Sequence, residues 1–152
     1  MKNEPSLVIS ASLGASSTEN ILAGPTKADF GSELQRLYPE AFQRTDSSQI
    51  KFRCGEGWLA IIRTLCSLLA EANRHEAGQP TYLTEAKEKL GTLRILVSGR
   101  SRVAHEWIRF AAQHSANVCE ICGCSARLIY TDGWQRVRCD AHTSSPVPDL
   151  ID

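Results

Sequence analysis

The stretch that decides the C-terminal fold reads Cys119-Glu-Ile-Cys122, followed after sixteen residues by Cys139-Asp-Ala-His142. Thiolate and imidazole are the ligands that zinc prefers, and two pairs of this spacing suit a tetrahedral site. Asp132-Gly133, between the pairs, is typical of a two-residue turn, so the intervening residues predict a β-hairpin. The sequence therefore predicts a zinc ribbon over residues 118–142, with a structural Zn²⁺ held by Cys119, Cys122, Cys139 and His142.

One further cysteine leaves the choice of ligands open. Cys124 lies two residues after Cys122 and could replace Cys122 or His142 as a ligand. Gly123 fits the turn that follows the second cysteine of a ribbon knuckle, which favours Cys122. Four protein ligands leave no open coordination position for water, so the site is expected to be scaffolding rather than catalytic.

Working back from the ribbon, residues 33–117 predict an α+β core with two main helices and a β-hairpin. Apolar residues recur at three- and four-residue steps from Trp58 to Leu69, which predicts a buried helix. Two strands are expected at Tyr82–Lys89 and Leu93–Val97, joined by a turn at Gly91-Thr92. Ser101 is a suitable N-cap for a second helix that ends near Ala116.

The ends of the chain carry fewer groups that can be buried. Residues 1–32 are rich in Ser, Ala, Gly and Thr, which predicts a flexible arm, with a short strand at Leu7–Ile9 that could pair with the sheet edge of a partner. A short helix, broken near Tyr38-Pro39, is expected over residues 33–44. Residues 143–152 predict a disordered tail.

Charge and hydropathy exclude some classes of function. The 17 basic and 17 acidic residues balance, so no overall charge favours nucleic acid or an acidic membrane. The chain contains no long apolar run and begins without the pattern of a secretory signal, which predicts a cytoplasmic protein with reduced cysteines and no membrane partner.

Three motifs in order resemble a family of small proteins from phages and prophage-bearing bacteria. They are Cys54-Gly-Glu-Gly-Trp58 after Tyr38-Pro39, then Lys87-Glu-Lys-Leu-Gly-Thr-Leu-Arg94, then the paired ligands around Gly133-Trp134. The corresponding family patterns are CGDGW, KEKFGxLR and CxxC…GW…CxxH, and the resemblance covers roughly residues 37–142. It implies the fold and a host bacterial cytoplasm as the setting, but no activity. The chain departs from the family at Glu56, Leu90, Cys124 and Arg138.

Catalytic chemistry has weak support in the sequence. Cys66 lies on the apolar stripe of the first main helix, which predicts burial. Cys54 stands beside two glycines at a helix start, where a thiol pKa would be lowered. No pattern pairs either thiol with a base among His75, His105 and His114. We therefore expect a protein that is not an enzyme.

The sequence favours two functions and does not exclude a third, a purely structural role in a virion. The first is a phage-type protein that binds and modulates a host protein or protein complex, most sharply as an inhibitor of a bacterial defence system. The alternative is a nucleic-acid-binding zinc ribbon, because cations and an aromatic residue could line one surface. The candidate contact residues for either partner are Lys87, Lys89, Arg94, Arg100, Arg102, Trp134, Arg136 and Arg138.

Overall fold

The computed structural model of the protein describes residues 27–43, 50–75 and 79–145. Helices and small sheets alternate along these residues, which confirms the predicted α+β class. The helices are α1 (Lys27–Leu37), α2 (Leu59–His75) and α3 (Arg102–Ser115), and the strands are β1 (Lys51–Arg53), β2 (Tyr82–Lys89), β3 (Thr92–Ser98), β4 (Arg127–Thr131) and β5 (Trp134–Arg138).

Helix α1 begins six residues earlier than predicted, so the end of the expected N-terminal arm is helical. Phe30 and Leu34 lie one turn apart and are 1% and 0% exposed, because this turn packs into the core. The helix ends before Pro39, which disfavours helical backbone at the residue before it. Residues 1–26 and 146–152, which include the rest of the predicted arm and most of the predicted tail, lie outside the described residues.

The first sheet has the order β1-β2-β3, with β1 parallel and β3 antiparallel to β2. The hairpin turn is Leu90-Gly91, with φ angles of 53° and 72°, rather than the predicted Gly91-Thr92. Both angles lie in the left-handed region that a two-residue turn between antiparallel strands requires. Strand β1 was not predicted, because three residues are too few to show an alternating pattern.

Helix α2 supplies the centre of the core. Its buried residues include Ile62, Leu65 and Leu69, on the stripe that the sequence predicts. Helix α3 begins at the predicted cap, where Oγ of Ser101 accepts a hydrogen bond from the Ala104 N–H over 3.3 Å. None of the helices in the described part of the chain is long and apolar enough to cross a membrane.

The ribbon shares the core of the rest of the protein. Val137 of β5 is fully buried and belongs to the same apolar cluster as α1, α2 and the first sheet. Strands β4 and β5 pair in register, from Arg127 opposite Arg138 to Thr131 opposite Trp134, around the predicted Asp132-Gly133 turn. The second sheet is therefore packed against the core as well as joined to it by the chain.

Candidate metal centre

Four side chains from the two knuckles converge on one point. The ligand atoms of Cys119, Cys122, Cys139 and His142 all lie within 4.8 Å of one another. The Cys122 and Cys139 sulfurs are 3.7 Å apart, and Nδ1 of His142 lies 3.7 Å from the Cys119 sulfur and 3.2 Å from the Cys139 sulfur. Tetrahedral zinc would separate two thiolates by about 3.8 Å and a thiolate from an imidazole nitrogen by about 3.6 Å. The donor set and its spacing therefore fit a metal ion of this kind.

Backbone hydrogen bonds form the first knuckle. The Cys119 N–H donates to the Cys124 carbonyl over 2.7 Å, and the Gly123 N–H donates to the Cys119 carbonyl over 2.9 Å. Gly123 adopts a φ of 77°, as a tight reversal after Cys122 requires. The Cys124 backbone closes this turn, while its exposed side chain lies outside the four-residue cluster.

The second knuckle is a short 3₁₀ turn, Asp140–His142, that follows β5. The His142 N–H donates to the Cys139 carbonyl over 2.9 Å, which brings the imidazole back towards the cysteine sulfur. An exposed ion pair of 2.8 Å joins Asp140 to Arg127 at the start of β4. Both knuckles therefore lie at the same end of the β4–β5 hairpin, the end opposite the Asp132-Gly133 turn.

The three thiols differ in acidity. Burial opposes ionisation of Cys119, but the N–H groups of Cys122, Cys139 and Ile121 outweigh it and lower the Cys119 pKa to about 6. For Cys139, burial followed by contacts with the neighbouring thiols raises the pKa. The lowered pKa favours the thiolate form of Cys119, which is the form that binds a metal.

The glycine-rich motif before α2 is the seat of the first knuckle. A Cβ atom on Gly55 would lie 2.0 Å from the Glu120 carbonyl oxygen, and one on Gly57 would lie 2.0 Å from that of Cys119. The Gly57 N–H donates to the Glu120 carbonyl over 2.9 Å, and Nε1 of Trp58 donates to the Val118 carbonyl over 2.8 Å. The sequence predicts only that these glycines precede a helix. The structure shows that the absence of a Cβ atom at both positions allows the backbone of Cys119 and Glu120 to pack against them.

Two arginines of β5 are buried rather than presented to solvent. Arg138 is 3% exposed, and its Nη2 lies 3.0 Å from Oε1 of Glu120 without hydrogen-bond geometry. Arg136 is 9% exposed and lies 3.9 Å from Glu88 of β2. Burial raises the pKa of Glu120, although both arginines oppose that shift.

This placement corrects the predicted contact surface on the ribbon. Trp134 is 65% exposed, and its ring centroid lies 5.9 Å from the Arg136 guanidinium carbon. The expected exposed row of Trp134, Arg136 and Arg138 does not form, because the ribbon packs the end of β5 against the core. Alternation along a strand predicts which residues share a face, but not which face is covered.

The other predicted contact residues lie on the first sheet, on α3 and in the loop between β3 and α3. Lys87 is partly buried and pairs with Glu85 over 2.9 Å. The remaining members of the set are exposed but do not belong to the ribbon: Lys89, Arg94, Arg100 and Arg102.

The two thiols considered as nucleophiles lie in the interior. Cys54 and Cys66 are both 0% exposed. Burial raises the pKa of Cys66 to about 12, so this thiol stays protonated at neutral pH. No disulfide joins any of the six cysteines, all of which lie in the described residues.

The chain has no match among known protein families, curated proteins or solved structures. The site itself therefore defines the class of protein, which is an α+β protein whose C-terminal Cys₃His cluster can hold a metal ion and is compatible with a zinc ribbon.

Proposed function

We propose that this chain is a non-enzymatic, zinc-containing protein that binds and modulates a host macromolecular complex. The observation that carries the zinc part is the convergence of three sulfurs and one imidazole nitrogen within 4.8 Å. The phage setting, the host cytoplasm and an inhibitory action against a bacterial defence system rest on the resemblance of the three sequence motifs. Inhibition is the sharpest form of the proposal.

The role proposed for the zinc is to stabilise the fold. When bound, the ion would supply folding free energy by tying the two knuckles together. The protein residues carry this constraint inward, because the first knuckle contacts Gly55 and Gly57, and Trp58 connects that contact to the core. Binding surfaces on the first sheet and α3 would thereby be held in one arrangement.

The placement of the thiols supports a role other than catalysis. A nucleophilic cysteine needs an accessible thiolate, and both Cys54 and Cys66 lack exposed surface. Cys119, Cys122 and Cys139 would be occupied by the metal. These five thiols are then not available as nucleophiles, which supports recognition of another molecule as the role of the protein.

A protein partner is favoured over nucleic acid because several of the predicted contact cations are buried or already paired with carboxylates. Arg136 and Arg138 face Glu88 and Glu120 in the interior, so they are not free to contact phosphates. Of the first-sheet lysines, Lys87 is already paired. A phosphate-binding surface on the ribbon would need several unpaired cations on one face, so this argument applies to the nucleic-acid-binding zinc ribbon in particular.

The test is affinity purification of the tagged, zinc-loaded chain from bacterial host lysate, with and without nuclease. A discrete protein that co-purifies in both samples, and whose activity falls when the chain is added, is the expected result. A Cys122→Ser chain, which loses one ligand, should capture less of it, and Cys124→Ser is the matched control. Recovery of nucleic acid alone, or of no partner from a panel of hosts, would contradict the proposal.

A further inference from the structure

A groove of about 470 Å³ runs between strand β3 and helix α3. One wall is the continuous strand segment 92–97, and the other is a single helical stripe with three- and four-residue steps. The stripe consists of His105, Ile108, Arg109 and Ala112. A strand edge facing a helix is the geometry into which an extended peptide adds as a further strand.

The edge of β3 can supply main-chain hydrogen bonds. Because Leu90-Gly91 is a two-residue turn, Lys89 and Thr92 form a hydrogen-bonded pair, and alternate residues from Thr92 direct their main-chain groups towards β2. The residues between them direct their main-chain N–H and C=O groups away from β2. The Leu93 N–H shows this direction, because it donates to Oγ of Ser115 over 2.9 Å. The residues whose main-chain groups face away from β2 are Leu93, Ile95 and Val97.

The rest of this edge is open in the part of the chain that the structure describes. Ser115 satisfies the Leu93 N–H, and no described strand pairs with β3 on the side away from β2. Exposed strand edges are usually blocked or paired, because their main-chain groups otherwise recruit another chain. The open length beyond Leu93 suits an added strand of about five residues at about 3.3 Å per residue.

The charge of the groove specifies the occupant. Arg94, His105 and Arg109 line the groove, and among the described residues no acidic one does. Arg109 also contacts Glu106 over 3.3 Å, but both side chains are more than half exposed, so this pair is weak and can exchange. Leu96, 39% exposed, adds an apolar contact. Carboxylates alternating with apolar residues would complement this surface, whereas a second copy of the chain would bring like charges together.

We propose that the β3–α3 groove binds an extended acidic segment of a protein partner by adding it to the edge of β3. This inference rests on the proposed function, and it identifies the surface and the chemistry of recognition. Main-chain bonds to Ile95 and Val97 would give affinity, while Arg94 and Arg109 would select carboxylates.

The experiment uses the full, zinc-loaded chain and two labelled eight-residue peptides, one of alternating Asp and Val and one of alternating Lys and Val. Fluorescence anisotropy should show binding of the acidic peptide at least about tenfold tighter than that of the basic one. Arg94→Glu and Arg109→Glu should each weaken binding of the acidic peptide by about fivefold or more, whereas Arg36→Glu, which changes an exposed cation of α1 outside the groove, should change it less than about twofold. Amide resonances of Ile95 and Val97 should shift on binding and become protected from exchange.

Equal binding of the two peptides, or no loss in Arg94→Glu with its fold retained, would overturn the inference. So would binding that appears only after residues 146–152 are removed, because the occupant would then be the chain's own segment. Ala112→Trp fills the groove without changing charge and should also block the peptide. If the Arg94→Glu, Arg109→Glu double variant still captures the lysate partner, this inference fails while the proposed function stands. If the parent chain captures no partner, the proposed function fails.

Discussion

Replacing Gly57 with alanine tests whether this glycine is needed for its backbone conformation or for its contact with the first knuckle. Gly57 does not lie in the left-handed region, so the backbone alone would accept alanine. On that basis Gly57→Ala should stabilise the protein by about 0.4–1 kcal/mol, because alanine restricts the unfolded chain. The tertiary structure predicts the opposite sign.

The size of the effect follows from the contact with the first knuckle. The new Cβ would lie 2.0 Å from the Cys119 carbonyl oxygen and 2.6 Å from the Gly123 nitrogen, where ordinary contact begins at 3.4 Å. The two backbones must therefore separate by about 1.4 Å, which takes the 2.9 Å hydrogen bond from Gly57 to Glu120 beyond bonding distance. Overpacking costs about 1–3 kcal/mol. A buried group left without its partner costs about 1–3 kcal/mol more.

Urea unfolding of the zinc-loaded proteins measures this difference directly. We expect Gly57→Ala to lower the free energy of unfolding by about 2–6 kcal/mol, and to speed zinc transfer to a chelator because the knuckle loses its seat. Gly133→Ala is the control. It has no atom within 4 Å of the new Cβ but a φ of 80°, so it should lose only about 1–2 kcal/mol, with unchanged zinc release. A Gly57→Ala protein as stable as its parent would refute the reasoning.

Three further predictions concern the metal, the buried ion pair and pH. Metal analysis of the purified protein should find zinc retained by Cys124→Ser and largely lost from Cys122→Ser, because Cys122 belongs to the ligand cluster and Cys124 does not. Equal losses of zinc from the two variants would contradict the assignment of Cys122 as a ligand. Glu120→Gln should cost about 3–5 kcal/mol in urea unfolding, because Arg138 at 3% exposure keeps an unpaired charge, whereas Glu120→Leu with Arg138→Met should cost much less than the sum of the single changes. The pKa of Glu85 is lowered from 4.5 by hydrogen bonds from Lys87 and then Arg53, so its carboxylate stabilises the fold above that pH and the contribution is lost as the pH falls below it. Unfolding free energies at about pH 6 and about pH 3.5 should therefore differ less in Glu85→Gln than in the parent chain, and an unchanged difference would count against the ion pairs.

Local spacing determined much of the fold from the sequence alone. The paired ligands, the Asp132-Gly133 turn, the apolar stripe of α2 and the Ser101 cap each depend on residues close together in the chain. Such patterns report periodicity and backbone preference, and these are properties of a short segment. The α+β class and the four-residue cluster could therefore be predicted without coordinates.

Contacts between distant segments were decided only by the tertiary structure. Gly57 touches a knuckle more than sixty positions away, and Arg136 and Arg138 are buried because the ribbon packs β5 against the core. The β3–α3 groove likewise depends on which edge of the sheet is left unpaired. A sequence shows which side chains share a face of a strand or helix, but burial depends on what packs against that face.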